Sequence, residues 1–230
     1  MNMKAWEDLP PPSHHPAEEY LFDYALGTLP EAWSLAVATH LTFCPECRAR
    51  VASYEAMAGS AMAAAEDMAV APDSLDRVLA RLEAAEDPPQ PARQPGAVRV
   101  DGIRLPAPLA PYLAGSETEL PPWRRVMSGL DEIRLPLGDG GRKAVLLRIQ
   151  PGRAMPAHTH RGDEMTVVLD GGFTDSSGAF RRGDCALLDA QVDHRPVAMA
   201  DRACLCLAVT DAPLKLTGPI GRWLNPLFRY

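Results

Sequence analysis

The spacing of apolar residues changes character once along the chain, and that change divides it in two. Up to about residue 87 the apolar positions recur every three or four residues, which predicts helices. Leu21, Phe22, Ala25 and Leu26 share one face of a segment from Ala17 to Leu26, closed by Gly27. Thr28-Leu-Pro-Glu31 has the form of a capping box with proline in the first turn. It opens a second helix with Trp33, Val37 and His40 at i, i+4 and i+7. Pro45 disfavours helix at the residue before it, so this helix is expected to end near Leu41 and a third to begin with Cys44 as its N-cap. The third runs through Tyr54 and Met57 into an alanine-rich stretch. Pro72-Asp73-Ser74 opens a fourth, whose Leu75, Val78, Leu79 and Leu82 form an apolar stripe. That stripe either closes the bundle core or contacts a partner.

Asp87 to Gly96 holds four prolines in ten residues and no apolar pattern, the composition of an extended, semi-rigid linker. Beyond it the period drops to two. Strand-like runs appear at Trp123–Met127, Lys143–Ile149, Met165–Leu169, Cys185–Leu188 and Ala203–Val209, separated by turns such as Gly138-Asp-Gly-Gly141, Asp170-Gly-Gly172 and Asp175-Ser-Ser-Gly178. Many short strands at this spacing predict a sandwich or barrel. The fold class is therefore multidomain, α plus β. A small helical bundle spans 1–87, a linker 88–97, and a β domain 98–230. Met1 to Ser13, with Pro10-Pro11-Pro12, is an irregular lead-in.

Charge sharpens the division. Residues 1–87 carry 15 acidic and 5 basic side chains, and the remaining residues carry 15 and 18, within a net charge of −7. The acidic first part is unsuited to phosphate contacts, which excludes direct nucleic-acid binding, but suits a basic protein partner. With 47% hydrophobic and 23% charged residues the composition is that of a soluble globular protein. No apolar run approaches the roughly 20 residues that span a bilayer, and no signal peptide precedes the first helix, so the expected location is cytoplasmic.

In that setting five cysteines point to metal or redox chemistry before a disulfide framework. His40, Cys44 and Cys47 form H-x3-C-x2-C, imidazole and thiols at a spacing that suits a closed zinc site. A thiol at a helix N-terminus sits in positive potential, which favours the thiolate. The fourth ligand must come from elsewhere, and the His14-His15 pair before the first helix can supply it. A second constellation lies in the β half. His158 and His160 alternate along a strand and so reach one face, Glu164 follows, and His194 returns from a later hairpin. Three imidazoles and a carboxylate make a divalent-metal site for Zn, Fe, Mn, Ni or Cu. Cys204 and Cys206 share one face of a late strand, as oxidant targets or as small core residues.

These residues carry a resemblance over nearly the whole chain. Gly152, His158, His160, Glu164 and Gly171, then Gly183 and His194, match the two cupin motifs. The second motif departs from the usual pattern: Asp189 and Gln191 stand where Pro and Gly are common, and Ala198 where Asn is. Together with His15, Ala38-Thr-His40-Leu, Cys44, Cys47, Cys204-Leu-Cys206 and Thr210-Asp-Ala-Pro-Leu, the chain resembles the ChrR-type zinc-binding anti-sigma factors. The resemblance implies a zinc-stabilised N-terminal bundle with ligands His15, His40, Cys44 and Cys47, His14 being the weaker match for the first position. It implies a C-terminal cupin-like sensor whose site (His158, His160, Glu164, His194) holds zinc or another divalent metal. It also implies a partner, an extracytoplasmic-function (group IV) sigma factor, released on singlet-oxygen or organic-peroxide signals, and no catalytic residues. The competing reading is a metal-dependent cupin enzyme of dioxygenase or isomerase type with an N-terminal zinc interaction module. Redox-active iron with turnover would favour it.

Overall fold

A computed structural model describes residues 10–84, 97–113, 121–137, 142–159, 161–189, 192–212 and 215–217. The whole proline-rich stretch from Asp87 to Gly96, the turn 138–141, His160 and Gln191 lie outside the described residues.

Four helices come first: α1 (Glu18–Ala25), α2 (Glu31–Phe43), α3 (Pro45–Ala63) and α4 (Ser74–Ala84). Their placing follows the apolar periodicity, with two differences. The capping box does not form. Pro30 occupies the N-cap of α2 without a side-chain bond, and the Thr28 hydroxyl turns back to the Asp23 carbonyl and carboxylate at 3.2 and 3.3 Å. Helix α2 also runs on to Phe43, past the expected stop at Leu41, because Pro45 forces only Cys44 out of the helical region (φ −107°, ψ 102°).

The β half begins with a small hairpin, β1 (Arg99–Val100) and β2 (Ile103–Arg104), and a short helix α5 (Ala110–Leu113). It continues with β3 (Arg124–Met127), β4 (Leu130–Arg134), β5 (Lys143–Ile149), β6 (His158–Thr159), β7 (Glu164–Asp170), β8 (Gly172–Asp175), β9 (Gly178–Arg181), β10 (Cys185–Leu188), β11 (Val197–Ala198), β12 (Cys204–Thr210) and β13 (Lys215–Leu216). All five expected strands are present within a residue of their ends. The other eight described strands have no counterpart among the expected runs; most are two to four residues long, and in β4 Leu-Asp-Glu-Ile-Arg does not alternate clearly enough to signal a strand. A six-stranded antiparallel sheet has the order β10-β7-β12-β5-β4-β3, and a three-stranded sheet the order β11-β8-β9.

The central strands β7 and β12 of the large sheet are buried on both faces. Alternation along β7, β12 and β5 sends Met165, Val167, Leu169, Leu205, Leu207, Val209 and Leu146 to one side. Val168, Cys204 and Ile149 go to the other, against Phe173 and Phe180 of the small sheet. The first side packs against the helices. Leu21 of α1, Trp33, Leu35, Ala36 and Val37 of α2, and Val51 of α3 join the sheet residues in one continuous cluster. The helical segment and the β half, separated in sequence by the proline-rich stretch, thus share one core. The reason is legible in α2, whose buried Ala32, Trp33, Leu35, Ala36, Val37, Thr39 and His40 surround its axis. A helix apolar on more than one face needs partners on more than one side. Polar ties cross the same boundary: Tyr20 Oη donates to Asp163 (3.0 Å), Trp33 Nε1 to Asp211 (2.9 Å) and Tyr112 Oη to Glu31 (2.9 Å).

Candidate metal centres

The first cluster forms where three segments meet. Cys44 is the N-cap of α3, and its Sγ accepts the Cys47 N–H at 3.3 Å, the expected use of a thiol at a helix start. One turn on, Cys47 lies beside it. His40, in the last turn of α2, brings Nε2 to 3.3 Å from Cys47 Sγ. His15, just before α1, brings Nδ1 to 3.4 Å from both sulfurs. The donor atoms of His15, His40, Cys44 and Cys47 all lie within 4.8 Å of one another, a group able to hold a metal ion. Between the two adjacent histidines the structure chooses His15. His14 instead packs its ring on Phe180 at 4.4 Å and sits 3.5 Å from the Asp184 carboxylate.

The chemistry of the donors fits a cation. His40 Nδ1 lies 2.8 Å from the Gly183 carbonyl. A carbonyl only accepts, so Nδ1 carries the proton and Nε2 turns a lone pair toward Cys47. Burial holds the His40 pKa down to about 4, leaving it neutral at ordinary pH. Burial and the Cys44 neighbour push Cys47 up to about 12 in the absence of a metal. A metal must therefore displace thiol protons. Zinc uptake by stripped protein is expected to release about two protons and to weaken by up to about a hundredfold per unit fall in pH. Competition titrations with a chromophoric chelator between pH 6 and 8 would check the slope.

The second group lies between the two sheets. His158 on β6 and His194 in the loop before β11 pair backbone to backbone, each N–H bonding the other's carbonyl at 3.1 Å. His158 Nδ1 donates to the Pro156 carbonyl (2.7 Å), and His194 Nδ1 to the buried Asp175 carboxylate (3.1 Å). Each Nδ1 thereby carries the proton of the neutral ring and directs Nε2 inward, and the two Nε2 atoms face each other at 3.0 Å. Two facing lone pairs repel unless a proton or a cation lies between them. Glu164 opens β7 on the same face, with Thr166 donating to its Oε1 at 2.9 Å, and burial raises its pKa. His158, Glu164 and His194 line a cavity of about 40 Å³ with Leu147, Met155, Phe173 and Cys206. That is room for an ion and about one or two waters. His160 lies outside the described residues. In the sequence Asp175 signals only a turn, because a buried acid facing a histidine from another segment leaves no local pattern. Ala198, where cupins usually have Asn, is a buried residue of β11.

Cys204 and Cys206 are buried, as is Cys185. Only Cys206 of the three lines the cavity, and its neighbour Cys204 together with burial pushes its pKa well up. No described helix is long and apolar enough to cross a membrane.

Comparison with known proteins adds the family. Residues 114–213 match the model of the ChrR cupin-like domain. The anti-sigma-E factor ChrR of Cereibacter sphaeroides is 43% identical over 216 residues, covering 94% of this chain and 98% of the relative. The crystal structure of Rhodobacter sphaeroides SigE in complex with the anti-sigma ChrR contains a chain 42% identical, superposing with a TM-score of 0.71 over 86% of this chain and 98% of that one. A likeness of that extent, running through both the His/Cys cluster and the cupin-like sheets, shows that the chain belongs to the ChrR family.

Proposed function

We propose that the protein is an anti-sigma factor that sequesters an extracytoplasmic-function sigma factor in the cytoplasm and releases it on an oxidative signal. The observation that carries this reading is the end-to-end likeness to ChrR, one copy of which was solved in complex with SigE. In this reading residues 1–87 form the sigma-binding unit, 88–97 the linker and 98–230 the sensor. His15, His40, Cys44 and Cys47 hold a structural zinc. His158, His160, Glu164 and His194 hold zinc or another divalent ion, which supplies the Lewis-acid or redox chemistry of sensing. The chain's own contribution there is to fix both histidine tautomers and to keep the ion between two apolar sheets.

Helix α4 is the contact surface favoured by its exposure. None of its residues is buried, and Leu75, Val78, Leu79 and Leu82 stand uncovered on one side. The stripe is not part of the bundle core. Leu79→Asp is expected to leave the melting temperature unchanged and to weaken sigma binding by about tenfold or more, as loss of a central apolar anchor does. Titration calorimetry beside a thermal melt separates the two.

The direct test is co-purification with each group IV sigma factor of the source organism, followed by run-off transcription. A chain that binds none of them at micromolar concentration would sink the reading. The cavity above His158, Glu164 and His194 favours a second reading, a metal-dependent enzyme of the dioxygenase or isomerase type. Turnover of a small substrate by the iron-loaded protein would select it.

A further inference from the structure

We propose that the turn between β9 and β10, through the Gly183 carbonyl and the Asp184 carboxylate, is the outer support of the His15/His40/Cys44/Cys47 cluster. The β half then sets how tightly the helical half holds its ion. This rests on the reading of that cluster as a metal site.

Two of the four ligands are positioned from this turn. The Gly183 carbonyl accepts a hydrogen bond from His40 Nδ1–H at 2.8 Å, which fixes the ring plane and aims Nε2 at the thiols. Asp184, 2% exposed, holds the segment leading into His15. Its Oδ1 accepts the Ser13 and His14 backbone N–H groups at 2.7 and 3.0 Å, and its Oδ2 accepts the Arg181 N–H at 2.7 Å. The Cys185 N–H closes the clamp on the His14 carbonyl at 3.0 Å. A charged carboxylate accepting several backbone donors is among the stronger local restraints a fold offers. It acts here one residue before a ligand.

The approach requires a glycine. Gly183 has φ +89°, and a Cβ there would stand 2.8 Å from Pro12 Cγ and 2.9 Å from Phe43 Cβ. Phe43 immediately precedes Cys44. The turn is also rigidly tied to the second site. Gly183 donates to the Val168 carbonyl at 2.8 Å, and Val168 donates to the Asp184 carbonyl at 3.0 Å. From there β10 pairs β7 residue by residue until Leu188 faces Glu164, both lining the cavity. One short ladder thus runs from the cavity to the His/Cys cluster. Gly183 and Asp184 touch no reacting atom and are positioning residues.

Outer partners of metal ligands typically contribute ten- to a hundredfold in affinity. In the full-length zinc-loaded protein, Asp184→Ala and Gly183→Ala are expected to speed release of one zinc equivalent to a chelator by about tenfold or more. Asp184→Asn, which keeps one oxygen acceptor, should recover part of the loss. With Co(II) bound at full occupancy, the d–d bands of the Asp184→Ala protein should shift, which a general loss of stability would not cause. Trp33→Phe removes the hydrogen bond to Asp211, another tie between the halves, and should leave zinc release at the wild-type rate. Equal acceleration by Trp33→Phe, or wild-type release from both turn variants, would overturn the proposal. Wild-type protein that never held the cysteine-dependent zinc would instead overturn the metal reading beneath it.

Discussion

Cys47→Ala in the full-length protein is expected to lose one zinc equivalent and its hold on the sigma factor while keeping the antiparallel sheets. Helix α3 has nineteen residues, yet only Cys47 and Val51 are buried. Its attachment therefore depends on its first two turns, where the cluster ties it to the end of α2 and the start of α1. A structural zinc in a small domain supplies on the order of 10 kcal/mol of apparent binding free energy, which is folding free energy for whatever it ties down. Losing it should free α3, with a fall in helical circular dichroism and fast amide exchange there. The sheet should persist, because Leu146, Met165, Val167 and Leu207 stay packed with α2 irrespective of the metal. Cys185→Ala, at a buried cysteine outside the cluster, should keep zinc and binding. Full zinc content in Cys47→Ala would remove the site from the account.

The second large effect is expected in the cavity. His158→Ala combined with Glu164→Gln should abolish the second metal equivalent and the response to singlet oxygen or organic peroxide, and leave inhibition of the sigma factor intact. These two positions are preferred to His194. Its partner Asp175 is buried, and truncating His194 would strand a buried carboxylate at a cost of about 3–5 kcal/mol. Glu164→Gln keeps the side-chain shape and the Thr166 contact, and it removes a charge that burial already disfavours. A reporter driven by the cognate sigma factor is the readout. A reporter that the double variant still switches on under oxidant would move the sensor to the His15/His40/Cys44/Cys47 cluster.

Local information was sufficient for much of this molecule. H-x3-C-x2-C brings three candidate donors together by itself, since i, i+4 and i+7 across a helix end bring side chains to one spot. Pro45 marks Cys44 as the junction. Period-two runs located β5, β7, β10 and β12, and the spacing from Gly152 to His194 located a second polar group inside the sheets. The tertiary structure decided what depends on residues far apart in sequence. It selected His15 over His14, because Asp184, some 170 positions away, clamps the backbone at His14 and turns His14's ring to Phe180. It joined the helical segment and the β half in one core, because α2 buries more than one face and the sheet offers the second surface. It left the α4 stripe uncovered, where the amphipathic pattern alone was equally consistent with a core or a contact. It also recruited Asp175, Gly183 and Asp184, residues whose local context signals only turns. Amphipathic periodicity says that a face must be covered, and motif spacing says which ligands are near. Neither carries the identity of the covering surface or of the carbonyl that orients a ring, which only chain-distant packing determines.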